Sequence, residues 1–450
     1  MIDQSYSADN FYRILDYENR KGNYKEGEFF ENIKLINYRI KDFKREYRVG
    51  KKDILDGDEK QRFKQSYREG LKEMQEDKMT LLLEELHKVS NNIVNDNWNL
   101  ALVKQFDRIS GKHVFVTGNT PETFFALKQT QYCIKKLYKV KQSHRNNIVL
   151  QVKHLLEDGA PKVVLRADVK NFFETIPIER LLRKINKDNL LSQLAKKIIS
   201  RVIKKYHTLS DNMLGIPRGI GISAYLSELY LREFDEAIRN LPRVFYYARY
   251  VDDIIIFLST DDADKEEKLR ELIADILERT SGLELNLNKT SAHIIANPNT
   301  DLNIPKEIEY LGYKFLVKKK EIQISLSEKK VSNYKKKIDK LIYIYTKSCK
   351  NKKEKKLLVN GIRFLTTNTR LLNNKSNVLI GVYYSNALLT DLSIWDMLDN
   401  YVRDKLQFIG ANGINEYIES KGYLFRRGFE NKKFTAFRAL QMTTIIKSWK

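Results

Sequence analysis

The stretch RYVDDIIIFL, Arg249 to Leu258, constrains the fold most. Two adjacent carboxylates, Asp252 and Asp253, interrupt an apolar run of strand-forming residues, with Tyr250 and Val251 before them and three isoleucines and a phenylalanine after. The pattern predicts a β-hairpin in which Phe245, Tyr246 and Tyr247 enter, the acids sit at a solvent-facing tip, and Ile254 to Phe257 leave as a buried strand. Charges are costly to bury without a partner, so two acids side by side on a rigid strand pair imply a bound cation. A turn that merely favours Asp would give the same dipeptide.

A third carboxylate lies upstream. In VVLRADVKNFFETIP, residues 163 to 177, Val163, Val164 and Leu165 read as a buried strand ended by Asp168, and Pro177 suits the first turn of a following helix. Alone, Asp168 would be an ordinary cap or turn residue. Beside Asp252 and Asp253 it supplies the acid set that phosphoryl transfer with two Mg²⁺ ions requires. Phe173 falls where the strand gives way to a turn and could wall a sugar pocket. Gly215, Gly219 and Gly221 around Pro217 form a loop whose backbone can approach a ligand closely, followed by a helix from about Ser223.

Upstream, a VFV strand from Val114 runs into a turn cluster ending at Pro121, then a helix from Glu122 to about Tyr138. A basic run leads to a second helix with Ile148, Val149 and Val152 on one face. Arg145 in that run is the favoured triphosphate clamp, because a guanidinium fork matches phosphate oxygens. A solvated basic helix end is the competing reading. Downstream, Lys268 to Arg279 reads as an amphipathic helix, GLELNLNKT as a strand ending at Lys289, and IEYLGYKFL, residues 308 to 316, as a further hairpin strand. The order predicts an α+β sheet with helices on one face.

The 450 residues carry 81 Lys and Arg against 58 Asp and Glu, a formal charge of +23, together with 21 Phe and 25 Tyr. That balance favours a polyanionic partner, most simply nucleic acid. Between Lys314 and Lys356, Lys335, Lys336, Lys337 and Lys340 face away from Val331, Tyr334, Ile338, Leu341 and Tyr345. Such a helix can pack on the body and track a phosphate backbone, or simply be a solubilising surface. The two cysteines, Cys133 and Cys349, lack zinc-ligand spacing. No apolar run approaches the about 18 residues of a membrane span, so a soluble, cytoplasmic protein without a membrane partner is expected. Residues 1–105 read as a helical N-terminal extension that binds RNA or a partner chain, or packs on the core. The chain from 360 onward reads as helical, with breaks at Gly361, Gly381, Gly410 and Gly413.

Taken in order, these stretches resemble the motifs of reverse transcriptases. RADVKNFF resembles motif A, GIPRGIGISAYLSE motif B, YVDD motif C, GLELNLNK motif D and EYLGYKF the primer-grip motif E. The resemblance spans about residues 106 to 320 and implies a right-hand polymerase, with fingers and palm in 106–320 and a basic helical thumb and C-terminal region in 321–450. It implies that Asp168, Asp252 and Asp253, with Val169, hold two Mg²⁺ ions, with Mn²⁺ as a substitute, which activate a primer 3′-hydroxyl and neutralise the triphosphate. It makes Phe173 the steric gate against a ribose 2′-hydroxyl, and places Val169, Gly219 and Gly221 near the incoming nucleotide. Lys289 would protonate the departing pyrophosphate, and Arg218, Leu311 and Gly312 would touch nucleic acid. Arg218 stands where many family members carry Gln, so its template contacts should be unusual.

The wording GIPRGIGISAYLSELYL is more like the bacterial abortive-infection and defence-associated branch of the family. DQSYSADNF and RFLTTNTRLLNNKSNVLIGVYYSN look similar to the first reverse transcriptase of type 3 defence systems. This implies DNA synthesis from dNTPs on a noncoding RNA template in antiphage defence, together with a second reverse transcriptase, and leaves a homo-oligomer open. A template-independent or protein-primed polymerase and a catalytically idle RNA-binding scaffold are the alternatives.

Overall fold

The computed structural model describes residues 2–53, 57–107, 111–141, 143–261, 265–295, 306–318, 322–348, 350–371 and 378–449. Cys349, and residues 372–377 of the C-terminal stretch quoted above, lie outside the described residues.

Ser7 opens the first helix, Ala8–Arg20, by accepting a hydrogen bond from the Asn10 amide. The apolar face of that helix is buried: Phe11 stacks on Phe125 of the helix Pro121–Leu137, with ring centroids 4.8 Å apart. The N-terminal helices therefore share one core with the segment that follows them. Two antiparallel strands, β1 (Leu102–Asp107) and β2 (Lys112–Thr117), come next. Sequence reading anticipated the second and missed the first, which straddles the expected boundary at 105.

The central sheet holds β3 (Lys162–Asp168), β4 (Val244–Tyr250), β5 (Asp253–Leu258) and β6 (Ser291–Ile295) in the order β4-β5-β3-β6, all neighbours antiparallel. Side chains alternate across it. Val163, Leu165, Ile254 and Ile256 join a core with Leu181, Ile199, Leu226, Phe234 and Ile273 from the surrounding helices. Val164, Ile255 and Phe257 join a second core with Val149 and Val152 of the helix Arg145–Glu157. Both faces are thus covered, and the expectation of helices on one face only is corrected. The unbroken apolar run of β5 is the sequence mark of a strand buried on both sides.

Two further expectations change. GLELNLNKT is not a strand: Leu285 makes a lone bridge to Val169, Leu287–Lys289 is one 3₁₀ turn, and β6 begins after it. The chain cannot stay extended there because the Asn286 amide and side chain are both committed to Asp168. IEYLGYKFL is two strands, β7 (Lys306–Tyr310) and β8 (Tyr313–Val317), reversed at Leu311 and Gly312 with φ of +46° and +75°. Two positive φ values are what a tight hairpin between right-twisted strands needs. β9 (Ile322–Leu326) completes this second sheet.

Beyond it the helices Glu328–Lys347, Lys352–Thr366, Ser393–Phe408, Asn412–Ser420 and Ala439–Trp449 form the C-terminal part, with short strands β10 (Asn368–Arg370) and β11 (Leu379–Gly381) between. Gly361 and Gly413 lie inside helices and are not breaks. Gly361 is bare where its helix meets Leu341, so its role is close packing. No described helix is long and apolar enough to cross a membrane.

Candidate active site

The register of β3 against β5 sets Asp168 opposite Asp253, and Asp252 occupies the turn just before β5. The Val169 amide donates to the Asp252 carbonyl at 3.2 Å, tying the two strand ends together. Tyr310 of β7 donates its hydroxyl to the Asp253 carbonyl at 3.2 Å, which docks the second sheet beside the acids. The turn itself is strained. Val251 takes φ +62°, a left-handed conformation that a β-branched residue adopts only when its surroundings enforce it.

Arg249 supplies that enforcement. Its side chain is 3% exposed and donates to the Val251 carbonyl at 2.9 Å while also reaching Glu228 and Asp235, each at 2.8 Å. Tyr247 adds its hydroxyl to Asp235 at 2.6 Å. Sequence reading missed this network, although an arginine in a run of apolar strand residues signals buried acids on a neighbouring element.

The tip acids are half-buried, not solvent-facing as expected. Burial, then the charge of Asp252, pushes the Asp253 carboxyl up to about 6, with Arg166 opposing. Burial also raises Asp252, with the charge of Asp168 adding to it. Asp168 is itself buried. Its Oδ2 accepts from Lys289 Nζ at 2.9 Å and from Asn286 Nδ2 at 3.2 Å.

Among the described residues no three His, Cys, Asp or Glu side chains converge tightly enough to enclose one metal ion. The donor set nevertheless fits Mg²⁺, a hard cation that takes one or two carboxylates and completes its shell with water and substrate phosphate. Crowded acids with raised affinity for protons are what a divalent cation would relieve. Val169 is buried, and its amide is spent on Asp252.

Phe172 is fully buried, whereas Phe173 is half-buried with its ring centroid 5.3 Å away. Phe173 is thus the ring that borders open space. Arg218 is ion-paired to Glu174 at 3.0 Å and lies 5.2 Å from the Phe173 ring centroid. Its charge is also felt at Asp252. Lys112 of β2 reaches the side chain of Asn171, which is close to Phe173 in sequence, at 3.4 Å, a cation that sequence reading did not single out.

Several expected contacts are placed elsewhere. A Cβ on Gly219 would fall 2.7 Å from the Phe115 carbonyl, and one on Gly221 2.8 Å from Gln131 Nε2, so both glycines make room for protein. Arg145 donates to the Leu311 carbonyl, and its guanidinium lies 5.2 Å from the Tyr313 ring centroid. In this structure it braces the β7–β8 turn. Leu311 is buried, leaving Gly312 and the backbone to meet any primer there.

On the helix Glu328–Lys347, Lys336 and Lys340 are exposed. Lys337 is instead 5.0 Å from the Trp449 ring centroid, and burial lowers its affinity for a proton. Lys335 is half-buried, 5.0 Å from the Tyr401 ring centroid. Both stems cover apolar surface, which sets these two lysines apart from the exposed Lys336 and Lys340.

Residues 122–315 match the family model described as Reverse transcriptase (RNA-dependent DNA polymerase). An 86-residue stretch, 18% of this chain, is 29% identical to an uncharacterized 91 kDa protein in cob intron of Schizosaccharomyces pombe, covering 11% of it. Apo telomerase from Candida tropicalis, truncated from the C-terminal domain, is similar at 12% identity and a TM-score of 0.33, over 54% of this chain and 60% of that one. Telomerase from Candida albicans, in complex with a TWJ fragment of telomeric RNA, is similar at 12% identity and a TM-score of 0.34, over 77% of this chain and 66% of that one. The chain thus spans only part of each relative. The match to a reverse transcriptase domain thus lies in residues 122–315, the part of the chain that carries the central sheet and its three acids.

Proposed function

We propose that this chain copies RNA into DNA, with Asp168, Asp252 and Asp253 as the metal-holding acids. The observation that carries the reading is the register that sets Asp168 opposite Asp253, with Asp252 in the adjoining turn. Two Mg²⁺ ions held there would lower the pKa of the primer hydroxyl and offset the charge of the leaving pyrophosphate. Lys289 holds the Asp168 carboxylate at 2.9 Å and is half-exposed beside it, which supports its reading as the donor of a proton to the departing group. The template is RNA, the substrates are dNTPs and the product is DNA. The motif B wording and the N- and C-terminal stretches quoted above support a role in bacterial antiphage defence, with a noncoding RNA template and a second reverse transcriptase as partners.

Primer extension with and without an RNA template tests the reading. Template-dependent synthesis is expected. Synthesis without template, or onto a tyrosine of the protein, would favour the template-independent or protein-primed alternative, and no synthesis would favour the scaffold.

Phe173→Ala is expected to raise ribonucleotide incorporation relative to deoxyribonucleotide, because the ring excludes the 2′-hydroxyl by bulk and not by a hydrogen bond. Single-nucleotide extension with matched substrates, alongside a melting curve, measures this. Full discrimination in a folded variant would remove Phe173 as the gate.

Replacing the exposed Lys336 and Lys340 with Ala should weaken nucleic-acid binding without sequence preference. Each phosphate that is no longer neutralised should flatten the slope of log affinity against log salt by about 0.7 to 0.9. An unchanged slope would make this face a solvated one.

A further inference from the structure

The loop between the helices Gln193–Ser210 and Gly221–Tyr230 is stitched to the short helix Phe172–Thr175 that carries the gate. The Ile216 amide donates to the Phe173 carbonyl at 2.7 Å and the Gly215 amide to the Ile176 carbonyl at 2.9 Å. The Asn212 side-chain amide donates to the Glu174 carbonyl at 3.0 Å. Gly215 takes φ +86°, and a Cβ there would fall 2.7 Å from Glu174 Cα, so the loop lies this close only with glycine at that position. The far end of the loop leans on β2, where the Phe115 amide donates to the Arg218 carbonyl at 2.7 Å.

From this anchored backbone Arg218 sends its guanidinium back toward the gate. Its centre lies 5.2 Å from the Phe173 ring centroid, while Nε and Nη2 donate to the two carboxylate oxygens of Glu174 at 3.0 and 3.2 Å. Glu174 follows Phe173 on the same short helix. Ring, guanidinium, carboxylate and helix therefore close a cycle, with the buried Phe172 ring as the other neighbour at 5.3 Å.

We propose that the Arg218 and Glu174 pair is a positioning clamp that fixes the Phe173 ring and thereby sets how strictly deoxyribonucleotides are selected. The inference rests on the reading of Phe173 as the sugar gate. A planar fork held by two hydrogen bonds resists rotation in a way that a single ammonium does not. An unclamped ring can yield to a 2′-hydroxyl; a clamped one cannot. Because Arg218 also accepts from β2 through its carbonyl, movement of the fingers strand reaches the gate through this residue.

The test is single-nucleotide extension with kcat and KM resolved for matched ribo and deoxyribo substrates, on Glu174→Gln, Arg218→Lys, Arg218→Gln, the Glu174→Gln, Arg218→Gln double variant and Phe173→Ala. Melting curves accompany each. Glu174→Gln and Arg218→Lys should each lower discrimination on the order of tenfold, the low end of what a misfit of one methylene costs in a pocket. The change should come as a gain in kcat/KM for the ribonucleotide. The double variant should be no worse than either Gln single variant, as for partners in one interaction.

Arg218→Lys keeps a positive charge near Asp252. Full selectivity in that variant would show that charge alone matters and would overturn the clamp, as would additive effects in the double variant. If Phe173→Ala alters selectivity while Glu174→Gln does not, the clamp falls and the gate stands. If Phe173→Ala changes nothing, the gate falls and the clamp falls with it.

Discussion

Asp252→Asn is expected to stop DNA synthesis while leaving the protein folded and able to bind RNA. Asparagine keeps the shape of the side chain, and the turn is held through the Asp252 backbone carbonyl, which still accepts from Val169. What disappears is one negative charge from the half-buried cluster proposed to hold cations. Losing about 4 kcal/mol of transition-state stabilisation slows a reaction on the order of a thousandfold.

Stability should not fall with the rate. In the folded chain Asp253 is pushed up to about 6, by burial first and by Asp252 second. An acid whose folded pKa lies above its unfolded value costs nothing below the unfolded value, and its penalty grows as pH rises through the folded one. Removing the neighbouring charge shrinks that penalty, so at neutral pH the variant should melt no lower than the parent. Single-turnover primer extension and a melting curve settle the matter together. Turnover near the parent's would end the two-metal assignment.

How much of this could be read beforehand depended on the reach of each signal. The acids were legible because strand, turn and charge are local: YVDD between apolar runs permits few structures, and Asp168 ends its own strand. Phe173 was noticed from its place after Asp168, but the gate role proposed for it and the proton-donor role proposed for Lys289 came only through resemblance, since nothing in a single phenylalanine or lysine announces either. What stayed hidden was pairing across long separations. Arg145 looked like a phosphate ligand because its sequence neighbours are basic, yet its partner is the Leu311 carbonyl, which no local pattern reveals.

The lysine helix shows the same limit in another form. Helical spacing assigned Lys337 to the polar side correctly as geometry, but the C-terminal helix brings Trp449 against it and leaves it half-buried. A solvent face is a property of the whole fold. GLELNLNKT failed for a related reason: alternating apolar residues promised a strand, and the bonds from Asn286 to Asp168 turned it into a 3₁₀ turn. In each case tertiary hydrogen bonding or packing overrode a sound local preference.

Arg249→Met should have the largest effect on stability of any single change near the site. The side chain is 3% exposed and is fork-bound to Glu228 and Asp235, so its loss leaves two carboxylates buried without their cation. Removing one partner of a buried pair costs about 3 to 5 kcal/mol. Burial already holds the Glu228 carboxyl above its ordinary value even with the arginine beside it. Without Arg249, Glu228 should shift further upward. Such acids are penalised more as pH rises through their folded values and recover when protonated, so the loss should be greater at pH 8 than at pH 6. Urea unfolding at the two pH values measures it. Catalysis should fail as well, because Val251 at φ +62° loses the 2.9 Å bond that holds its carbonyl, and the turn presenting Asp252 and Asp253 is then free to relax. Arg249→Lys separates charge from geometry: it restores a cation but cannot fork to two carboxylates and a carbonyl at once. It should therefore recover part of the stability and little of the activity. A small, pH-independent loss in Arg249→Met would mean that the acids find another partner and that the strained turn does not depend on this residue.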